Sequence, residues 1–319
     1  ILGVEPQRVV ADAHPAYLSA QWAEAWAQRR GLPLLRVQHH QAHVASLVTE
    51  HSCDLTAPVL GVCLDGTGYG TDRAIWGGEF LLVSSAGWRR FAHLKYVPLP
   101  GGDAAIRQPR RVALAHLWAA NVAWQPELPC GLASSATVLL LLAAMLHQQS
   151  GTFPTSCLGR RFDAVAALLG IRQEVTYEAQ AAMEMEALAD LSVTDAAAAF
   201  TLLDTSPLQL DPGPVFHSLA AGLLAGEPRP RLAGRFHHAV ANAIVAVAER
   251  ARTAAGIRTV ALTGGVFQNG LLTRLVKERL RAARFAVLQH SRVPCHDGGL
   301  ALGQAALANQ LIPVEWVSA

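Results

Sequence analysis

A chain of 319 residues, 51% hydrophobic and 16% charged, is long enough to bury sizeable cores, and its length suggests one to three domains, with two favoured. Its formal net charge of +2 gives no polyanion-binding bias and argues against a nucleic-acid partner. The five cysteines, Cys53, Cys63, Cys130, Cys157 and Cys295, form no Cys-x-x-Cys pair and fit reduced thiols in the cytoplasm better than a disulfide framework.

Short strands are expected at 9–12 and 33–38, with a helix over 17–29 between them and another from about 40 to 50. An apolar strand over 59–64 then runs into the glycine-rich turn 65–72 and a second strand over 78–83, which reads as a β-hairpin. Residues 98–103 read as a turn, 107–120 and 137–149 as helices, and 160–169 and 179–188 as further helices, with Gly170 stopping the first of these two. The most apolar stretch, 138–146, is nine residues long, short of the roughly 20 needed to span a membrane, so a buried helix is expected there. The region 191–230 holds eight proline and glycine residues and is the expected insertion or hinge. A long helix over 236–254 feeds a strand at 259–262, the turn Thr263-Gly264-Gly265, a helix from Asn269 and a last strand at 285–289. Strands and helices alternate in two parts, 1–120 and 121–319, which predicts a mixed α/β fold. No signal-peptide pattern opens the chain, and Ile1 in place of Met suggests a piece of something longer.

Several residues carry chemistry. His39 and His43 stand four apart, so on a helix both imidazoles face one way and can share a divalent cation. In Asp65-Gly66-Thr67-Gly68, the glycines let backbone amides approach a phosphate, while Asp65 and Thr67 can hold a cation or its waters. Gly264 and Gly265 follow a strand at a helix N-terminus, where free N–H groups favour an anion, and Asn269 is a candidate adenine partner. Asp103 reads as the cap of the next helix, and the guanidiniums of Arg107, Arg110 and Arg111 offer donors to an anion such as phosphate. Asp65, Asp103 and Arg107 are the catalytic candidates.

The segments VQHHQAH, LDGTGYGTDRAIWGGEFL, LPGGDAAIRQPRR, SCLGRRFDAVAALLG, YEAQAAME, TGGVFQNGLL and VPCHDGGLALGQA occur in this order over nearly the whole chain. Together they resemble the C-terminal transferase domain of the HypF carbamoyltransferases of [NiFe]-hydrogenase maturation. Their shared logic is also similar to the threonylcarbamoyl transferases of tRNA modification. The resemblance implies a duplicated ribonuclease-H-like fold, as in actin, Hsp70 and sugar kinases, with nucleotide and metal in the cleft between lobes. It further implies that Asp297 joins His39 and His43 on zinc or iron, with Asp65 as a fourth or water-mediated ligand, and that Asp163 and Glu184 accept ribose hydroxyls. His40 and His296 are adjacent but lack the matching register. The implied reaction moves a carbamoyl group from carbamoyladenylate to the C-terminal cysteine of a HypE-type protein. A YrdC-like domain, absent from this sequence, makes the adenylate from carbamoyl phosphate and ATP. Where relatives differ, this chain has Gln41, Gln108-Pro109-Arg110 and Leu158, which touches fine substrate contacts but not the ligand positions. Two alternatives stay open: carbamoyl transfer to a small molecule or a tRNA adenosine, and a non-catalytic ATP-binding module.

Overall fold

The structure is a computed structural model that describes residue 3, residues 5–196 and residues 198–309; Ile1, Leu2, Val4, Ala197 and residues 310–319 lie outside the described set. The chain opens with β1 (Val9–Asp12), α1 (Leu18–Arg30), β2 (Leu34–Val37) and α2 (His39–Glu50). A meander follows, β3 (Val59–Tyr69), β4 (Ile75–Ser84) and β5 (Gly87–Leu94), then β6 (Val97–Pro100), α3 (Asp103–Arg107), α4 (Pro109–Ala119), α5 (Pro129–Leu132) and α6 (Ala136–Gln148). Next come β7 (Thr152–Thr155), α7 (Leu158–Leu168), α8 (Gln180–Leu188), β8 (Thr201–Leu203), β9 (Leu208–Asp211) and α9 (Gly213–Leu224). The chain continues with α10 (Arg229–Ala255), β10 (Thr259–Thr263), α11 (Gly270–Ala282), β11 (Ala286–Gln289) and α12 (Leu300–Ala308).

Among the described residues, nine strands form one sheet, ordered β11-β10-β3-β4-β5-β9-β8, with β6 and β7 beside β4; β1 and β2 make a separate parallel pair. In the central sheet β3, β4 and β5 are antiparallel, while β10 runs parallel to β3 and β11 parallel to β10. That arrangement suits a ribonuclease-H-like unit. The period-2 alternation of β3 explains the layers. Leu60, Val62 and Leu64 face the large core shared with α4, α7, α10 and α11, whereas Val59 and Cys63 face the second core under α2 and α12. Helix α2 lies tightly on this second face, since a Cβ on Gly61 would stand 2.5 Å from the Val44 methyl. Helix α10 turns Leu232, Phe236, Val240, Ile244, Val247 and Ala251 into the large core at three- and four-residue spacing, and Gly256 in the left-handed region ends it.

The structure corrects several expectations. Strand β3 does not end at Leu64: it runs to Tyr69 with a register shift between Leu64 and Gly68, and the chain reverses only at 70–74. The cause is Trp76, which pairs across from Gly68 and covers Gly70, leaving no room for an earlier turn. Residues 97–100 are strand β6, paired with the unanticipated β7, and the bend is confined to Gly101 and Gly102, both at positive φ. The helix expected over 107–120 is split at Gln108, because Pro109 can only begin a helix. The apolar run 138–146 is helical in α6, but only one side of it is covered: Leu142 and Leu146 are buried while Leu140 is 73% exposed. Among the described residues no helix is long and apolar enough to cross a membrane. The segment 191–230 supplies β8, β9 and α9, and β9 extends the sheet by pairing with β5. Strands from both sides of residue 120 share one sheet and one core, because β10 pairs with β3 some 200 positions away; the packing therefore has no break at that point.

Candidate functional site

Helix α2 starts at His39, with Gln38 as its N-cap accepting from the Gln41 amide. This start places His39 and His43 one turn apart on the same side, both buried. Their Nε2 atoms converge on two carboxylates: His39 Nε2 lies 3.4 Å from Asp65 Oδ2 and 3.6 Å from Asp297 Oδ1, and His43 Nε2 lies 3.4 Å from each. One donor atom from each of His39, His43, Asp65 and Asp297 lies within 4.8 Å of all the others.

These separations exceed an ordinary N–H···O bond of about 2.7–3.2 Å. They match the edge of about 3.3–3.4 Å expected for a tetrahedron built on bonds of roughly 2.0–2.1 Å. His43 Nε2 is buried without a hydrogen-bond partner, a cost that a shared cation would remove. Two further contacts orient the donors. Asp12, closing β1, accepts from His39 Nδ1 at 2.7 Å and leaves Nε2 to face the carboxylates. Asp65 accepts the Gly66 and Gly265 amides on Oδ1, at 2.9 and 3.2 Å, so that Oδ2 faces the imidazoles. Two nitrogens and two oxygens in this arrangement suit a zinc- or iron-type divalent cation.

Electrostatics agree with a site that holds positive charge. Burial works against protonation of His39, but hydrogen bonds to Asp12 and Asp65 outweigh it and raise its pKa to about 10. Asp65 is burdened by burial as well, yet the His39 and His43 imidazoles beside it hold it well below the usual carboxylate range.

Beyond Asp65, the end of β3 borders a cavity of about 360 Å³ lined by Thr67, Ile106, Arg107, Arg160, Asp163 and residues 175–179. Arg160 pairs with Asp163 at 2.9 Å, and one of its terminal nitrogens approaches Gly66. Burial pushes the Asp163 carboxyl up, against the lowering effect of Arg160. Gly264, at φ +96°, packs against the Leu64 backbone and carries the turn whose next amide reaches Asp65.

The expected residues therefore fall into groups. His39, His43, Asp65 and Asp297 come together; Thr67, Arg107 and Asp163 share the adjoining cavity; Gly66 and Gly265 contact Asp65. Gly68 packs under the rings of His40 and His39 instead of facing open space. Glu184 is held by two hydrogen bonds from Arg172 and one from Gln180, and Asn269 caps α11 through Leu272 N while its amide meets His237 Nε2; neither lines the cavity. Asp103 is exposed and makes no capping bond, since Gly102 occupies the N-cap. His40 and His296 stay outside the four-donor set, engaged with Gln38 and with the Gly298 amide respectively. Two residues escaped sequence reasoning: Asp12 carried only the signal of an acid ending a strand, and Arg160 that of a second arginine before Phe162-Asp163.

His237 is buried within α10. Its Nδ1–H donates to Ala233 O and burial lowers its pKa to about 4. The unfolded chain takes up a proton near pH 6.5 that the folded protein refuses until about pH 4, so this contribution is complete above pH 6.5 and fades as pH falls to 4. The unfolding free energy from urea titrations between these limits is expected to fall by up to about 3 kcal/mol in the native protein, and a His237→Gln variant is expected to lose that part of the slope.

Comparison with known proteins places the chain in a family. The HypF Kae1-like domain profile matches residues 1–50, and the profile described as Carbamoyltransferase, Kae1-like Domain, second subdomain matches residues 61–304. The chain is 40% identical over 311 residues to the carbamoyltransferase HypF homolog of Cupriavidus necator, covering 95% of this chain and 77% of that one. It is 37% identical over 317 residues to carbamoyltransferase HypF of Synechocystis, covering 94% of this chain and 40% of that one. The crystal structure of full-length HypF in the phosphate- and nucleotide-bound form superposes with a TM-score of 0.88 at 37% identity, covering 97% of this chain and 47% of that one. The chain thus spans less than half of the Synechocystis relative and of that solved structure. Identity at this level over nearly the whole chain, with matching architecture, means that the chain belongs to the HypF carbamoyltransferase family and carries its Kae1-like region.

Proposed function

We propose that this chain performs the transfer half of HypF chemistry, moving the carbamoyl group of carbamoyladenylate to the C-terminal cysteine thiol of a HypE-type protein for cyanide-ligand synthesis. The observation that carries this reading is the junction of two sites at one strand end. The four-donor cluster at Asp65 and the Arg107-Arg160-Asp163 cavity, which Thr67 also lines, adjoin across Gly66. A family member crystallised in a phosphate- and nucleotide-bound form supports nucleotide use by the family.

In this reading His39, His43, Asp65 and Asp297 hold a divalent cation, which supplies Lewis-acid polarisation of a phosphate or carbonyl oxygen. The chain's own residues do the rest. Arg107 and Arg160 give the cavity positive charge for a phosphate, and Asp163 offers an acceptor for ribose hydroxyls. Asp12 fixes the His39 tautomer, and the Gly66 and Gly265 amides fix Asp65. No nucleophile of the chain is needed, because carbamoyladenylate is already an activated mixed anhydride. Burial pushes the Cys157 and Cys130 thiols up to about 12, far from the thiolate form, so neither competes with the acceptor. The acceptor sulfur bonds to the carbamoyl carbon, the bond from that carbon to the phosphate oxygen breaks, AMP leaves and the thiol proton passes to solvent. The five free cysteines support a cytoplasmic setting, where a YrdC-like domain provides the adenylate.

The test supplies preformed, labelled carbamoyladenylate and a HypE-type acceptor whose terminal cysteine is intact or changed to alanine. Label is expected on the intact acceptor alone. Binding of adenylate without transfer, or equal labelling of both acceptors, sinks the thiol-directed reading.

A further inference from the structure

Asp297 differs from its three companions in the cluster. Its side chain is 67% exposed, whereas His39, His43 and Asp65 are embedded in α2 and β3. What holds it in place has to act on the loop that carries it, residues 290–299 between β11 and α12. That loop is fastened to α2 at two points. At its far end Ser46 Oγ donates to Gly299 O at 2.9 Å. At its near end a single carboxylate does more: Glu50, the last residue of α2, accepts Ser291 N at 2.7 Å, Ser291 Oγ at 2.9 Å and Arg292 N at 2.6 Å on Oε1.

The other oxygen, Oε2, accepts from His290 Nδ1 at 2.7 Å, and both side chains are almost fully buried, at 3 and 4% exposure. His290 Nε2 in turn meets Thr263 Oγ1 at 3.0 Å. Thr263 ends β10 directly before Gly264, whose amide donates to Cys295 O, and Gly265, whose amide donates to Asp65. One chain of hydrogen bonds therefore joins the helix bearing both histidines, the turn bracing Asp65 and the loop bearing Asp297. Thr263 is fully buried, so a nucleophilic role for this Thr-His-Glu alignment is closed off by access. A surface loop needs no such buried carboxylate merely to fold, because water satisfies its amides equally well.

We propose that Glu50 and His290 are positioning residues that set Asp297 against His39 and His43 and so govern divalent-cation affinity. This rests on the cation site proposed above. Loss of an outer partner of a ligand typically costs about 10- to 100-fold in affinity, and that range is expected here. The test titrates cobalt(II) into the full chain by calorimetry, with the visible cobalt spectrum as a second readout of ligand number. It compares wild type with Glu50→Ala, Glu50→Gln, Asp297→Ala and the Glu50→Ala, Asp297→Ala double variant. The expected result is weaker binding in both Glu50 variants with saturation still at the wild-type stoichiometry, and no further loss when Glu50→Ala is added to Asp297→Ala. Full additivity in the double variant, or wild-type affinity in Glu50→Gln, overturns the proposal. The Gln variant keeps the shape of the side chain, which covers the case in which Glu50→Ala does not fold. A wild-type chain that takes up no cobalt overturns the cation site itself, an outcome separate from additivity.

Discussion

Changing His39 and His43 together to alanine is expected to reduce bound divalent cation from about one per chain to less than about a tenth of that, a weakening of at least 100-fold. Both nitrogen donors are lost, leaving Asp65 and the exposed Asp297 as a two-oxygen remnant. Carboxylates alone suit hard cations such as magnesium and lack the nitrogen donors that favour zinc or iron. Alanine is compatible with α2, so the helix is expected to persist, although Asp12 and Asp65 lose their imidazole partners and some stability goes with them. His40→Ala provides the control. His40 is equally buried on the same helix but stands outside the four-donor set, with its Nδ1 on Gln38. Metal analysis of the purified variants reads the result: retention in His40→Ala with loss in the double variant supports ligation by His39 and His43. Equal loss in both points to folding of α2, and undiminished stoichiometry in the double variant removes the site.

Gly264→Ala is expected to be strongly destabilising. Gly264 sits at φ +96°, outside the range that a residue with a Cβ adopts comfortably, and the new carbon would overlap the Leu64 carbonyl oxygen of the neighbouring strand. Strain of about 1–3 kcal/mol from the dihedral and a similar amount from the overlap predict a loss of roughly 3–5 kcal/mol. At 2–4 °C per kcal/mol for a chain of this order of size, the melting temperature is expected to fall by about 6–20 °C. The turn cannot move away cheaply, because its two amides are committed to Cys295 and Asp65. Calorimetry measures the first effect, and cation affinity should drop alongside it. A variant as stable as the parent would mean that the Leu64 and Gly264 backbones are not packed as described.

Helix α2 was legible before any coordinates from the four-residue spacing of its histidines. Likewise β3 and β10 declared themselves as unbroken apolar stretches, the pattern of strands covered on both faces. The extension of β3 to Tyr69 was not legible, since glycine-rich sequence usually turns and only the Trp76 indole, arriving from β4, keeps it extended. The exposure of Leu140 is a matter of what lies opposite α6, which local sequence does not encode.

The same division holds for the site. The sequence by itself determined which side chains can bind or polarise, and the motif order determined the family, because donor chemistry and spacing within one helix or turn are local properties. Only the tertiary structure decided that Asp297 meets two histidines more than 250 positions earlier, that Asp12 and Arg160 belong beside them, and that Glu184 pairs with Arg172 while Asn269 caps α11. Those outcomes depend on the parallel pairing of β10 with β3 and the seating of α12 on α2, long-range contacts whose energy comes from shared burial and not from any one segment.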